Sequence, residues 1–228
     1  MTSKNVQPNK EYDFRLNNGS VVQIVGPSGS GKTYFACNLL SRPEMFKLPI
    51  REIYWHSGVK EGEIGPTLKK LEKLKQVHHV FGLPKGWTDN PKQYDAIVID
   101  DLFVEANRDA ATFNQLFTKI ARHRQVTVLF LTQNLFHQGG GHRTRNLNTH
   151  YLVIFKNPRD KTVIDFLSRQ VYPNNRKFLI NVFESATKNR PHGYLFMDFT
   201  QECPDDVRIR TDIFNKRTGA LIYKQKSN

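Results

Sequence analysis

The chain has 228 residues, with 34 Lys and Arg against 21 Asp and Glu and a formal net charge of +13. Its 38% hydrophobic and 24% charged residues exclude a disordered chain and predict a globular protein with a buried core. Two cysteines without paired spacing exclude a disulfide framework, and no stretch approaches the ~18 apolar residues of a membrane span. We expect a protein of a reducing intracellular compartment. The charge favours a polyanionic partner, either nucleic acid or an anionic membrane surface, although a solvated basic surface is the plain alternative.

Strand-like and helix-like segments alternate along the chain, which predicts an α/β fold with a mainly parallel sheet flanked by helices. The strand candidates are short and rich in Val, Ile, Leu and Phe, as is typical of strands buried on both faces. They span residues 21–25, 52–55, 96–100, 127–131 and 151–155, followed by 194–197 and 207–213. Apolar residues at helical spacing predict two helices, one around residues 113–121 and one around residues 178–186.

No internal repeat or long linker divides the chain, so we expect a single principal domain. Residues 1–17 are polar and are expected to form a flexible arm. The principal domain is predicted over residues 18–215, and residues 216–228 are predicted to form a basic tail.

Residues 26–33 read GPSGSGKT and fit the phosphate-loop pattern GxxxxGK[ST] at every position. Glycines are needed there because backbone N–H groups must curl round a phosphate without a Cβ in the way. Lys32 is expected to reach the β- and γ-phosphates of ATP and Thr33 to bind Mg²⁺. A helix predicted over residues 34–41 adds the partial positive charge of its N-terminus. The predicted nucleotide-binding residues are Gly26, Pro27, Ser28, Gly29, Ser30, Gly31, Lys32, Thr33 and Tyr34.

Two carboxylates, Asp100 and Asp101, end the apolar run at residues 96–100. In phosphate-loop enzymes the first such carboxylate holds the metal, and the next can polarise the attacking water. Asp100 is therefore the candidate Mg²⁺ ligand together with Thr33, and Asp101 is the candidate catalytic base. A turn or helix cap is the weaker alternative. Two acids rather than one favour a hydrolysing ATPase over a small-molecule kinase.

Polar residues stand on both sides of the strand predicted over 127–131. Gln133 follows it, at the carboxyl end where ligands of such sheets bind, and is expected to sense the γ-phosphate or orient water. Arg122 and Arg124 precede it at the end of a predicted helix. Three roles are open for these arginines. They could stabilise charge in the transition state of their own site, do so across a subunit interface, or only interact with the dipole of their helix.

Taken together, these motifs resemble the FtsK/HerA superfamily of ring-forming DNA-pumping ATPases. The nearest resemblance is to the viral genome-packaging ATPases of Polinton/Maverick elements, virophages and related large DNA viruses. It is carried by GPSGSGKT, IVIDD, RHRQVTVLFLTQNLF, HYLVIFKNPRDK and GYLFMDF, which together extend over most of the chain. TQNLF followed by FKNPRDK is the specific part, because a phosphate loop alone does not distinguish this family from many others.

The resemblance implies a RecA-like FtsK/HerA core, a homo-oligomeric ring (pentamer or hexamer) and ATP- and Mg²⁺-dependent movement of double-stranded DNA into a preformed capsid. It implies capsid vertex proteins as partners, and a virus-encoded protein at assembling capsids in the host nucleus or cytoplasm, or in the virion. It also implies catalytic roles for Lys32, Asp101 and Gln133, with Arg122 acting in trans. Many cellular relatives have Glu at the position of Asp101, so a relayed water is an alternative to direct proton transfer.

A basic loop, NLFHQGGGHRTRNLN, follows Gln133 and contains Arg143 and Arg145. We expect it to contact DNA phosphates in a central pore or to insert an arginine into a neighbouring site. A plain solvent loop is the third alternative. Arg159 lies at a predicted strand-to-helix junction, where it either pairs with Asp160 or lines a subunit contact.

Two other functions remain open on the sequence. One is a HerA-like DNA translocase working in repair or conjugation. The other is a non-motor, ATP-switched DNA-binding protein without meaningful turnover. The intact acidic pair and Gln133 favour a motor over the second of these.

Overall fold

The computed structural model describes residues 12–58, 65–83, 95–102, 110–135 and 147–225. Within these ranges nine strands form one sheet, in the order β3-β2-β4-β5-β1-β6-β7-β8-β9. The strands are β1 (Val21–Val25), β2 (Glu52–Ser57), β3 (Gln76–Phe81), β4 (Ala96–Asp100), β5 (Thr127–Thr132), β6 (Tyr151–Phe155), β7 (Tyr194–Asp198), β8 (Ile209–Thr211) and β9 (Leu221–Tyr223). Strands β1 to β6 pair in parallel, and β6 to β9 pair antiparallel. The predicted α/β fold class is confirmed.

Helices cover both faces of this sheet. They are α1 (Lys32–Leu40), α2 (Pro66–Glu72), α3 (Ala110–Gln115), α4 (Ala121–Arg124), α5 (Thr162–Val171) and α6 (Arg176–Thr187), with a π-helical turn, Leu116–Ile120, joining α3 to α4. Alternate residues of β1 face opposite layers, as the two-residue period of a strand requires. Val22 and Ile24 pack with α1 and α2, whereas Val21 packs with α3 and α4 and Val25 with α5 and α6.

The strand bounds agree closely with the sequence prediction where the strands are apolar on both faces. β1, β4 and β6 begin and end at the predicted residues. The strand predicted over residues 207–213 is shorter, because a 3₁₀ turn (Asp205–Val207) precedes β8 and Asp212 has a left-handed φ of 53°. Among the described helices, none is long and apolar enough to cross a membrane.

Two segments predicted as a flexible arm and a basic tail take part in the packed domain. Leu16 is buried and its backbone N–H donates to Met45 O at 2.7 Å. The Tyr12 hydroxyl donates to Asp198 Oδ2 at 3.0 Å, and this carboxylate also pairs with the buried Arg210. At the other end, β9 pairs with β8. The domain therefore extends beyond both predicted boundaries, at 17/18 and 215/216, because each segment contains apolar residues that the core buries.

Candidate functional site

The predicted nucleotide-binding and acidic residues meet at one edge of the sheet, formed by the carboxyl ends of the parallel strands. β5 lies between β1 and β4, and its register sets Thr132 beside Val25 and Leu131 beside Asp100. The phosphate loop after β1, the polar residues after β5 and the acidic pair at the end of β4 are therefore neighbours. Ligands of open α/β sheets bind at this edge.

The phosphate loop needs its glycines for two physical reasons. Gly29 and Gly31 have left-handed φ values of 76° and 108°, which residues with a Cβ rarely adopt. At Gly26 the obstacle is space, because a Cβ there would stand 2.7 Å from Phe155 Cβ and 2.7 Å from Ser30 Oγ. The Gly26 N–H donates to Thr132 O at 3.1 Å, which joins the start of the loop to β5.

Lys32 lies across the loop rather than out in solvent. Its side chain is buried, and Nζ donates to Gly26 O at 2.8 Å and to Pro27 O at 3.2 Å. Burial lowers the pKa of Lys32, and the carboxylates of Asp101 and Asp100 oppose that shift, Asp101 the more strongly. The ammonium is thus a fixed donor close to both acids, which suits it to bind a polyphosphate.

Thr33 and Asp100 form a pair of oxygen donors beside Lys32. Thr33 Oγ1 donates to Asp100 Oδ2 at 3.4 Å. The pKa of Asp100 is raised to about 6, chiefly by burial and also by the Asp101 carboxylate. The Lys32 ammonium and hydrogen bonds from Thr33 and Trp55 oppose this shift. A half-buried carboxylate next to a hydroxyl is the hard-oxygen donor set that Mg²⁺ prefers. These residues therefore fit the implied metal.

Asp101 and Gln133 form a second pair at the solvent side of the site. Gln133 Nε2 donates to Asp101 Oδ2 at 3.0 Å and to Oδ1 at 3.3 Å. Asp101 has a left-handed φ of 55°, which Asp tolerates better than most residues, and its N–H donates to Leu131 O at 3.3 Å. The strained backbone turns the carboxylate out of the strand and the amide holds it, as a water-activating carboxylate requires.

Arg122 and Arg124 lie at the opposite edge of the sheet from this site. They belong to α4, which precedes β5, whereas Gln133 follows it, and six strand residues span about 20 Å. Both side chains are exposed. The structure therefore excludes the alternative in which Arg122 serves its own site. The alternative across a subunit interface stays a prediction.

Arg159 is exposed in the segment after β6, at the same edge as the phosphate loop. Its expected partner, Asp160, instead accepts the Thr162 N–H at 2.8 Å and the Thr162 hydroxyl at 2.5 Å, at the start of α5. The structure shows no ion pair between these two described side chains. Arg143 and Arg145 lie outside the described residues.

One contact to the phosphate loop comes from a residue that the sequence did not single out. His192, in the turn before β7, has Nδ1 3.0 Å from Ser30 O. A ring nitrogen facing a carbonyl oxygen must carry the hydrogen, so His192 is the donor. The two residues are 162 positions apart, and the GYLFMDF run that begins at Gly193 does not signal the contact.

The fold over most of the chain is similar to solved structures of a viral protein, the genome packaging NTPase B204 from Sulfolobus turreted icosahedral virus 2. Its complex with ATP-gammaS has a TM-score of 0.54 at 12% identity, covering 86% of this chain and 98% of that chain. Its complex with AMPPCP has a TM-score of 0.52 at 13% identity, covering 86% and 97%. This chain has the fold of a P-loop NTPase.

Comparison of the sequence with known proteins gives a more limited result. A stretch of 68 residues is 53% identical to a probable amino-acid ABC transporter ATP-binding protein of Haemophilus influenzae. The match covers 29% of this chain and spans only 24% of the relative's length. No family model matches the sequence.

Proposed function

We propose that this P-loop NTPase hydrolyses ATP with Mg²⁺ and uses the energy to move double-stranded DNA into a preformed viral capsid. The observation that carries the hydrolytic part is the meeting of the phosphate loop, the Thr33–Asp100 pair and the Asp101–Gln133 pair at one edge of the sheet. The DNA part is supported by the net charge of +13 and by the TQNLF and FKNPRDK motifs. The proposed workplace is the assembling capsid inside a host cell, with capsid vertex proteins as partners.

The residues divide the chemistry among them. Backbone N–H groups of the loop and the Lys32 ammonium bind the phosphates, and Thr33 and Asp100 would hold Mg²⁺, which when bound neutralises charge on the β- and γ-phosphate oxygens. Gln133 orients the attacking water with Asp101. As the water oxygen bonds to the γ-phosphorus and the bond to the ADP oxygen breaks, Asp101 accepts the water proton, directly or through a second water.

In the proposed ring, a neighbouring subunit supplies an arginine that is directed at the γ-phosphate. Arg122 is exposed at the far edge of the sheet, where it is free to meet a neighbouring subunit. An arginine provided in trans stabilises charge in the phosphoryl-transfer transition state. The exposed Arg159 at the nucleotide edge is proposed to line the same subunit contact or the DNA.

Mixing two inactive variants tests the arrangement in trans. R122A and D101N rings are each expected to lose about 100-fold or more in kcat, since one lacks a charge-stabilising group and the other the base. Mixed rings are expected to regain part of the turnover, because some interfaces combine an intact Asp101 with an intact Arg122. ATPase rates of mixtures measure this, with subunit exchange shown by native mass spectrometry. Mixed rings without any recovery would assign the role to another arginine.

Stimulation by DNA tests the motor function. We expect double-stranded DNA to raise the ATPase rate several-fold, with a stimulation that decreases as salt increases, because sequence-independent binding to phosphates releases counterions. The measurement is steady-state phosphate release with duplex DNA of increasing length, and D101N provides the background rate. The DNA part would be refuted if the protein hydrolysed ATP but duplex DNA neither stimulated the hydrolysis nor bound to the protein at low salt. The ATPase activity would then stand alone.

The alternatives give different results in the same assays. A non-motor, ATP-switched DNA-binding protein binds DNA and ATP, but D101N changes neither turnover nor DNA release. A HerA-like translocase in repair or conjugation shows DNA-stimulated turnover without binding to capsids. Co-sedimentation with the virus's empty capsids separates that function from packaging, and the genes adjacent to this one provide a second criterion.

A further inference from the structure

A single side chain connects the turn between α6 and β7 to the phosphate loop. His192 Nδ1 donates to Ser30 O at 3.0 Å. The same ring packs against the loop, with Nδ1 3.4 Å and Cβ 3.6 Å from the position that a Cβ on Gly31 would take. Ser30 and Gly31 directly precede Lys32. The contact therefore acts on the part of the loop that leads into the N-terminus of α1, where an anion binds.

The turn that carries His192 is anchored on two sides. Gly193 packs so closely on the end of α6 that a Cβ there would stand 2.8 Å from Thr187 Cα and 2.9 Å from Ala186 O. Arg190 Nη1 pairs with Asp212 Oδ2 at 2.6 Å, which joins the turn to the segment after β8. An anchored turn gives His192 a fixed position against the loop.

The described contacts hold the phosphate loop from two opposite sides. On the β5 side, Gly26 N–H bonds to Thr132 O, and Lys32 Nζ bonds back to Gly26 O. On the β7 side, the His192 bond reaches the carbonyl of Ser30. The Ser30 side chain adds no such support, because its buried hydroxyl has no hydrogen-bond partner among the described residues.

We propose that His192 is a positioning residue of the phosphate loop. By donating to Ser30 O it holds the 30–32 segment in the form that receives phosphates, and it joins β7 to the nucleotide site. The proposal rests on the proposed function in one respect, namely that the loop binds a nucleoside triphosphate. It predicts that His192 strengthens binding of the triphosphate group and not of the nucleoside.

Binding of ATP and of inorganic triphosphate by the wild type and four variants tests this proposal. In H192A both ligands are expected to bind about 5-fold more weakly, the effect of one hydrogen bond. H192N is expected to bind both nearly as the wild type does, because its side-chain amide nitrogen reaches the position of Nδ1. H192Q places the nitrogen one bond farther out and is expected to resemble H192A. H123A, which removes an exposed histidine at the opposite edge of the sheet, is the matched control.

Isothermal titration and thermal melting of each variant distinguish the outcomes. Weaker binding of ATP with unchanged binding of triphosphate would overturn the proposal, since His192 would then contact the nucleoside. Equal affinities in H192A and the wild type would overturn it as well, as would an H192N protein no better than H192Q. If H192A does not fold, the comparison of H192N with H192Q decides. Wild-type protein that binds neither ligand would refute the proposed nucleotide binding itself, which is a separate result.

Discussion

Replacing Lys32 with alanine is expected to lower kcat for ATP hydrolysis by about 100-fold or more, because the enzyme loses a preorganised positive charge at the γ-phosphate. The Lys32 ammonium is buried and bonded to Gly26 O and Pro27 O, so it is held in place before a nucleotide arrives. Nucleotide affinity is expected to fall as well, since the same ammonium contacts the ground-state phosphates. Steady-state phosphate release and titration with a non-hydrolysable ATP analogue measure the two effects.

Two further variants separate the charge of Lys32 from its packing. K32M keeps most of the apolar stem and removes the ammonium, so its turnover is expected to be as low as that of K32A. K69A removes an exposed lysine of α2, away from the phosphate loop, and is expected to keep the wild-type rate. Turnover of K32M near the wild-type value would contradict the role given to Lys32.

Replacing Asp100 with asparagine is expected to stabilise the protein in EDTA and abolish Mg²⁺-dependent turnover. Burial raises the folded-state pKa of Asp100 from its ordinary 3.8 to about 6, so the carboxylate opposes folding once it is ionised. Because the folded state binds this proton more tightly, the penalty grows from pH 4 to pH 6 and is complete above that. A shift of one to two pKa units corresponds to roughly 1 to 3 kcal/mol.

The pH dependence makes this second prediction specific. The gain in the free energy of unfolding for D100N is expected to be present at pH 7 to 8 and absent below pH 4, where the wild-type carboxyl is neutral in both states. Denaturant unfolding at the two pH values measures it. D101N, at the exposed neighbouring carboxylate, is the comparison, and its gain is expected to be smaller than that of D100N because it only removes a neighbouring charge. A D100N protein that is less stable than the wild type at pH 8 would show that the Asp100 charge supports the fold.

Local patterns in the sequence were sufficient for the central strands and the phosphate loop. β1, β4 and β6 are apolar runs buried on both faces, and a pattern of that kind needs no knowledge of its neighbours. The same holds for GPSGSGKT, because its backbone geometry depends on glycines within eight consecutive residues. The acidic pair at the end of β4 was identified because it directly follows the apolar residues 96–99.

The outermost strands β3 and β9 and the short helix α2 were not predicted from the sequence. β3 reads QVHHVF and is mostly half-buried, so its sequence lacks the signal of a buried strand, and only pairing with β2 makes it one. The seven residues of α2 are too few for a clear helical period. The three residues of β9 show no strand pattern of their own, so the sequence assigned them to a tail. They form a strand because they pair with β8.

The fold class, the phosphate loop and the acidic residues were predictable from local sequence, since each depends on neighbours within one strand or one loop. Which groups meet depends on the packing of distant segments. Strand order places Gln133 between the phosphate loop and Asp101. Arg122 is only eleven positions from Gln133 but lies at the opposite end of β5, away from the site. His192, in contrast, contacts Ser30 from 162 positions away. Strand pairing and turn packing act between segments distant in the chain, and a local pattern carries no information about either.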